Sequence, residues 1–142
     1  MGETVASALA SERRLAAAAF APLNTKRRLN EGIEGGAFAT GPLAIVHGWF
    51  ALSAGLSGDL EASAGHTALT AVAILCYYAV LKGRAVWPSI FVLGWLLTEV
   101  SAGRWLFGYA AGGSILNWIA VPLGILGVRA AWRRRTSVLS GG

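Results

Sequence analysis

Glu99 and His66 are the residues whose types can exchange a proton or hold a cation, and both fall inside stretches that are otherwise apolar. A desolvated carboxylate resists ionisation and an imidazole titrates near neutrality, so the two together suit proton- or cation-coupled chemistry. Asp59 and Glu61 precede His66 and Arg104 follows Glu99. The acidic groups with His66 offer donors for a divalent cation, in no diagnostic metal spacing. A plainer role for Glu99 is an ion pair with Arg104 or His66 that closes one face. A charge at the centre of a spanning helix costs about 2.5–3.5 kcal/mol on insertion scales, so its retention points to pairing or function. His47 and Asn117 are further polar groups set among apolar neighbours. The His47 imidazole can ligate haem or a chlorophyll-type pigment, or hydrogen-bond a neighbouring helix; Asn117 reads as a hydrogen-bonding link between helices or a ligand contact.

The elements that must position these groups are membrane-spanning helices. Charged residues make up 13 % of the chain and hydrophobic ones 55 %; a soluble domain carries about 25 % charged residues. The apolar residues gather in blocks at 37–56, 64–81, 86–103 and 106–128. Each is long enough for a hydrocarbon core of about 30 Å, which takes roughly 17–25 helical residues. The expected fold is all-α: a polytopic membrane protein, a four-transmembrane-helix bundle with an amphipathic N-terminal helix. These blocks leave no room for a soluble catalytic domain after residue 36.

Charge placement sets the expected topology. The net charge is +5, and every Lys and Arg except Arg104 falls in 13–28, at Lys82 and Arg84, or in 129–135. Those three regions share one side of a four-span chain, which the positive-inside rule makes cytoplasmic, together with both termini. The expected organisation is a cytoplasmic N-terminal segment at 1–36, helical and lying on the membrane surface, a transmembrane bundle at 37–128, and a basic cytoplasmic tail at 129–142. The charge pattern follows the membrane, so nucleic acid is not an expected partner, while anionic headgroups are. Within the N-terminal segment, Val5, Leu9, Ala16 and Phe20 fall near one helical face, and residues 24–32 read as a capped turn that ends at Gly32. The single cysteine, Cys76, lies inside the second span and excludes an intrachain disulfide.

Small residues predict the packing. Gly48 and Gly55 in the first span, and Gly108 and Gly112 in the fourth, recur at spacings that let another helix approach. The short link at 57–63 makes the first two spans an antiparallel hairpin. Its geometry is expected to place His66, Thr67, Thr70, Thr98, Glu99 and Ser101 at one outer level, below Asp59, Glu61 and Arg104. His47 is expected about 10 Å or more deeper along the membrane normal, at 1.5 Å per residue, and apart from that cluster.

With no catalytic constellation of nucleophile, base or zinc motif, the leading expectation is a non-catalytic accessory or assembly subunit of a larger membrane complex. The alternative is a small homo-oligomeric transporter or channel that uses Glu99 and His66 near the outer face; a further one is haem or pigment binding through His47. Expected partners are the lipid bilayer and other membrane subunits or further copies of the chain, in a bacterial inner membrane.

Overall fold

A computed structural model describes Ala17, Phe20 and residues 22–82, 86–107 and 111–140, without the side chains at 103–107, 111–114 and 138–140. The helices are α1 (Lys26–Phe38), α2 (Thr40–Ser57), α3 (Leu60–Lys82), α4 (Trp87–Phe107) and α5 (Ala111–Ser140), with no strand among the described residues. The fold is an all-α helical bundle. By length and composition, Lys26–Ser57, Leu60–Lys82 and Ile115–Ser137 can each cross a membrane, and Trp87–Ala102 is a shorter apolar helix.

Thr25 starts α1 from extended backbone, its Oγ1 accepting the Arg28 N–H at 3.2 Å, an N-cap that satisfies an orphan donor. The helix does not end at Gly32, contrary to the sequence expectation, but runs to Phe38. Gly32 serves close packing: a Cβ there would sit 2.8 Å from the Cβ of Ala130 on α5. One turn along, Gly36 meets Gly127 of α5 backbone against backbone, the approach that small residues permit between helices. Leu23, Ile33 and Ala130 close the same contact as a small apolar cluster. Ala39 keeps helical dihedrals (φ −59°, ψ −19°), so α1 passes into α2 almost without a break.

Gly58 ends α2 at φ 83°, a left-handed conformation that costs an L side chain about 1–2 kcal/mol. The Asp59 N–H reaches the Ala54 carbonyl at 2.9 Å, and Asp59 Oδ1 accepts the Ala62 N–H at 3.0 Å. This tight turn sets α3 antiparallel to α2, as the short link predicts. Gly55 lies against Ser63 and Gly48 faces Thr70, while Ser63 Oγ donates to the Ala51 carbonyl at 2.9 Å. On the other side of the bundle, Gly124 of α5 packs against Leu93 and Leu96 of α4. The helix α5 passes through Pro122 and continues beyond 128, so the basic residues that read as a tail extend it to Ser140.

Polarity is arranged for lipid. Ile45, Trp49, Leu52 and Leu56 recur at helical spacing on the outside of α2, whereas the interior holds His47, Glu99 and Asn117, each wholly buried. In water that pattern exposes apolar surface; against hydrocarbon it is the favoured one. The helices make this an integral membrane protein.

Candidate functional site

Three helices converge on Glu99. Its Oε1 lies 3.3 Å from Nε2 of His47 on α2, and both side chains are fully buried. The same oxygen accepts the indole N–H of Trp95 at 3.1 Å, one turn earlier on α4. On its other edge, His47 Nδ1 lies 3.1 Å from Nδ1 of His66 on α3. The two imidazoles lie edge to edge, with 5.4 Å between centroids and 28° between planes, and the Phe50 ring lies at the same separation and angle from His66. Trp95 also lies 5.4 Å from the His47 ring. Trp95 and Phe50 therefore pack beside the two imidazoles whose edges carry the hydrogen bonds.

The expected depth separation of His47 and His66 is corrected by this contact. His47 stands ten residues before the end of α2 and His66 six after the start of α3. That offset is about four residues, roughly 6 Å of rise, which two imidazole side chains span. The glycines along the hairpin bring the helices close enough for them to do so.

The rest of the expected outer cluster is dispersed. Thr67, Thr98 and Ser101 are exposed and donate to carbonyls of their own helices, those of Ser63, Gly94 and Leu97. Thr70 donates to the His66 carbonyl at 2.9 Å and so stiffens the turn that carries the ring. Asp59 caps α3 and Glu61 is exposed in its first turn. The Arg104 side chain and Gly108 lie outside the described residues, as does any contact that Gly112 makes through a side-chain position. No group of three or more His, Cys, Asp or Glu forms a metal-binding cluster among the described residues. Both ring nitrogens of His47 face protein partners, so axial ligation of a haem or pigment requires breaking one of those contacts.

No family model, curated protein or solved structure matches this chain.

Two nitrogens 3.1 Å apart share one proton: one donates and the other accepts. With His47 Nε2–H directed at the carboxylate, two arrangements satisfy the line. In one, His47 is neutral and its Nδ1 accepts from His66 Nδ1–H. In the other, His47 is an imidazolium that donates from Nδ1 to a neutral His66. The second holds one proton more, and it neutralises the buried carboxylate. A proton arriving at His66 Nε2 reaches the second arrangement by transfer between the Nδ1 atoms, and Glu99 can then take a proton from His47 Nε2.

Asn117 is wholly buried on α5, and neither its Oδ1 nor its Nδ2 has a hydrogen-bond partner among the described residues. Among the described residues, none on a neighbouring helix supplies the expected link. The register set by Gly124 against Leu93 and Leu96 carries Asn117 to within a turn of the Glu99 level on antiparallel α4. Beside the line, Leu69, Val72, Phe91, Gly94, Trp95 and Thr98 wall a cavity of ≈ 480 Å³ between α3 and α4. Trp95 thus lines that cavity and holds Glu99 with the same ring. Sequence reading missed Trp95, although its spacing of four from Glu99 places the two on one helical face; the partnership of His47 with Glu99 leaves no local signal.

Proposed function

We propose that the chain is a small transport protein of an inner membrane, working as a homo-oligomer, in which His66, His47 and Glu99 carry protons. The observation that supports this most is the continuous line from the partly exposed His66 through the buried His47 to the buried Glu99, with contacts of 3.1 and 3.3 Å. An ionisable group inside a membrane bundle is expensive, and three in series suit a proton relay. The small faces at Gly36, Gly48, Gly55, Gly124 and Gly127 are occupied within the chain, which shifts weight from assembly towards an activity of the chain itself. Lys26–Arg28, Lys82 and Arg133–Arg135 gather at one end of the bundle, which by the positive-inside rule supports a cytoplasmic side for both termini and an outer side for His66.

The test is proton entry into vesicles that hold the purified protein and an internal pH dye, driven by a potassium diffusion potential. Wild-type protein is expected to acidify the lumen, whereas Glu99→Gln and His47→Gln, shown folded by circular dichroism, leave it at the rate of empty vesicles. Wild-type flux no faster than that of empty vesicles, or flux that survives both substitutions, defeats the reading.

The accessory-subunit reading draws on Gly41 and Gly65, where a Cβ would meet nothing within 4 Å among the described residues, which leaves room for a foreign helix. Mild extraction from native membrane tests it: other chains at fixed stoichiometry support it, and a monodisperse homo-oligomer opposes it.

A further inference from the structure

Away from the proton line, the end of the bundle where α1 begins holds a second cavity, of ≈ 300 Å³, walled by Leu23, Val128, Arg129, Trp132 and Arg133. We propose that it binds an anionic glycerophospholipid, phosphate against the arginines and upper acyl chain against the apolar wall.

The arrangement follows from helical spacing. Arg129 and Arg133 are four apart on α5, as are Val128 and Trp132, so a row of two guanidiniums runs beside a row of two apolar side chains. Like charges at that spacing repel, and an anion between them relieves the repulsion. A guanidinium presents paired N–H groups that match phosphate oxygens. The first of these arginines is held in place from outside the helix: Arg129 Nη2 donates to the Phe20 carbonyl at 3.5 Å, and its guanidinium carbon lies 5.8 Å from the centre of the Phe20 ring. Among the described residues, none that lines the cavity is acidic.

The position fits a headgroup. Arg129 is the first charged residue after Arg104 in the sequence, so it marks where α5 leaves the hydrocarbon, and the exposed Trp132 is the amphipathic ring favoured at that level. Lys26, Arg27 and Arg28 add positive charge at the start of α1. Free phosphate has no use for Leu23 and Val128, whereas a lipid uses both rows, and a lipid seated here bridges the entry to α1 and the exit of α5.

The experiment is native mass spectrometry of the full chain released from mild detergent, with phosphatidylglycerol or phosphatidylcholine added at equal concentration. Wild-type protein is expected to retain phosphatidylglycerol in preference. The pair Arg129→Gln and Arg133→Gln should weaken retention about thirtyfold, the effect of two basic groups at a membrane surface. Arg134→Gln with Arg135→Gln, which removes equal charge outside the cavity, should retain the lipid. Val128→Trp fills the cavity with the charges intact and should lose it; folding of each variant is checked by circular dichroism, and the filling variant decides the matter where the arginine pair does not fold. Equal retention of both lipids, equal loss from both arginine pairs, retention by Val128→Trp, or displacement by glycerol 3-phosphate as effective as by the lipid would each overturn the proposal, the last by making it a site for a soluble anion.

Discussion

His47 Nε2 lies 3.3 Å from Glu99 Oε1 with both side chains at zero exposure, joining α2 to α4 through the centre of the bundle. Removing one member of such a pair takes away the other's counter-group, which costs about 3–5 kcal/mol, whereas replacing both with apolar groups is close to neutral. His47→Leu is therefore expected to destabilise strongly, and the double variant His47→Leu with Glu99→Leu to recover most of the loss. Denaturation in detergent reads this directly; additive losses in the double variant would deny the coupling.

Trp95→Phe retains an aromatic wall but deletes the donor to the Glu99 carboxylate. A hydrogen bond to a charged group contributes about 1.5–3 kcal/mol, and that loss is expected in wild-type background. In Glu99→Leu background the same substitution should cost much less, because its acceptor is already gone.

Gly36→Ala drives a Cβ into the Gly127 backbone, so α1 and α5 must separate. Overpacking of this kind costs about 1–3 kcal/mol. Gly41→Ala meets nothing within 4 Å among the described residues and should be neutral or stabilising, since alanine is the better helix former by about 1 kcal/mol. The difference between their melting temperatures is the measurement.

Asn117→Leu replaces a buried amide that lacks a hydrogen-bond partner among the described residues. Desolvation of such a group costs about 1–3 kcal/mol, so the variant is expected to melt higher than wild type. Lower stability would place a partner on the amide. A simultaneous fall in proton entry into vesicles would attach Asn117 to the proton line.

Gly58→Ala places a Cβ at φ 83° in the hairpin turn. The expected loss is about 1–2 kcal/mol. Gly58→Asn should lose less, because asparagine visits left-handed backbone more readily.

Composition and block length by themselves determined the class of this protein. Four apolar blocks and few charges leave a chain no stable state but helices in lipid, and the apolar faces of Ile45, Trp49 and Leu52 turn outward as that solvent demands. The hairpin at Gly58 was legible for a similarly local reason, since a short link between two spans can only reverse the chain. Glu99 stood out because a carboxylate in such a block is costly wherever it points. The tertiary structure alone decided what it points at. Partners on different helices are set by helix rotation and by axial offset, and a shift of one residue turns a side chain by about 100°. The second helix of the hairpin begins at Leu60, four residues before its apolar block, which shortens the offset between His47 and His66, and the contacts Gly48–Thr70 and Gly55–Ser63 bring them within hydrogen-bonding distance. The same holds for Gly32, whose local chemistry signals a helix end but whose place against Ala130 makes it a contact between helices.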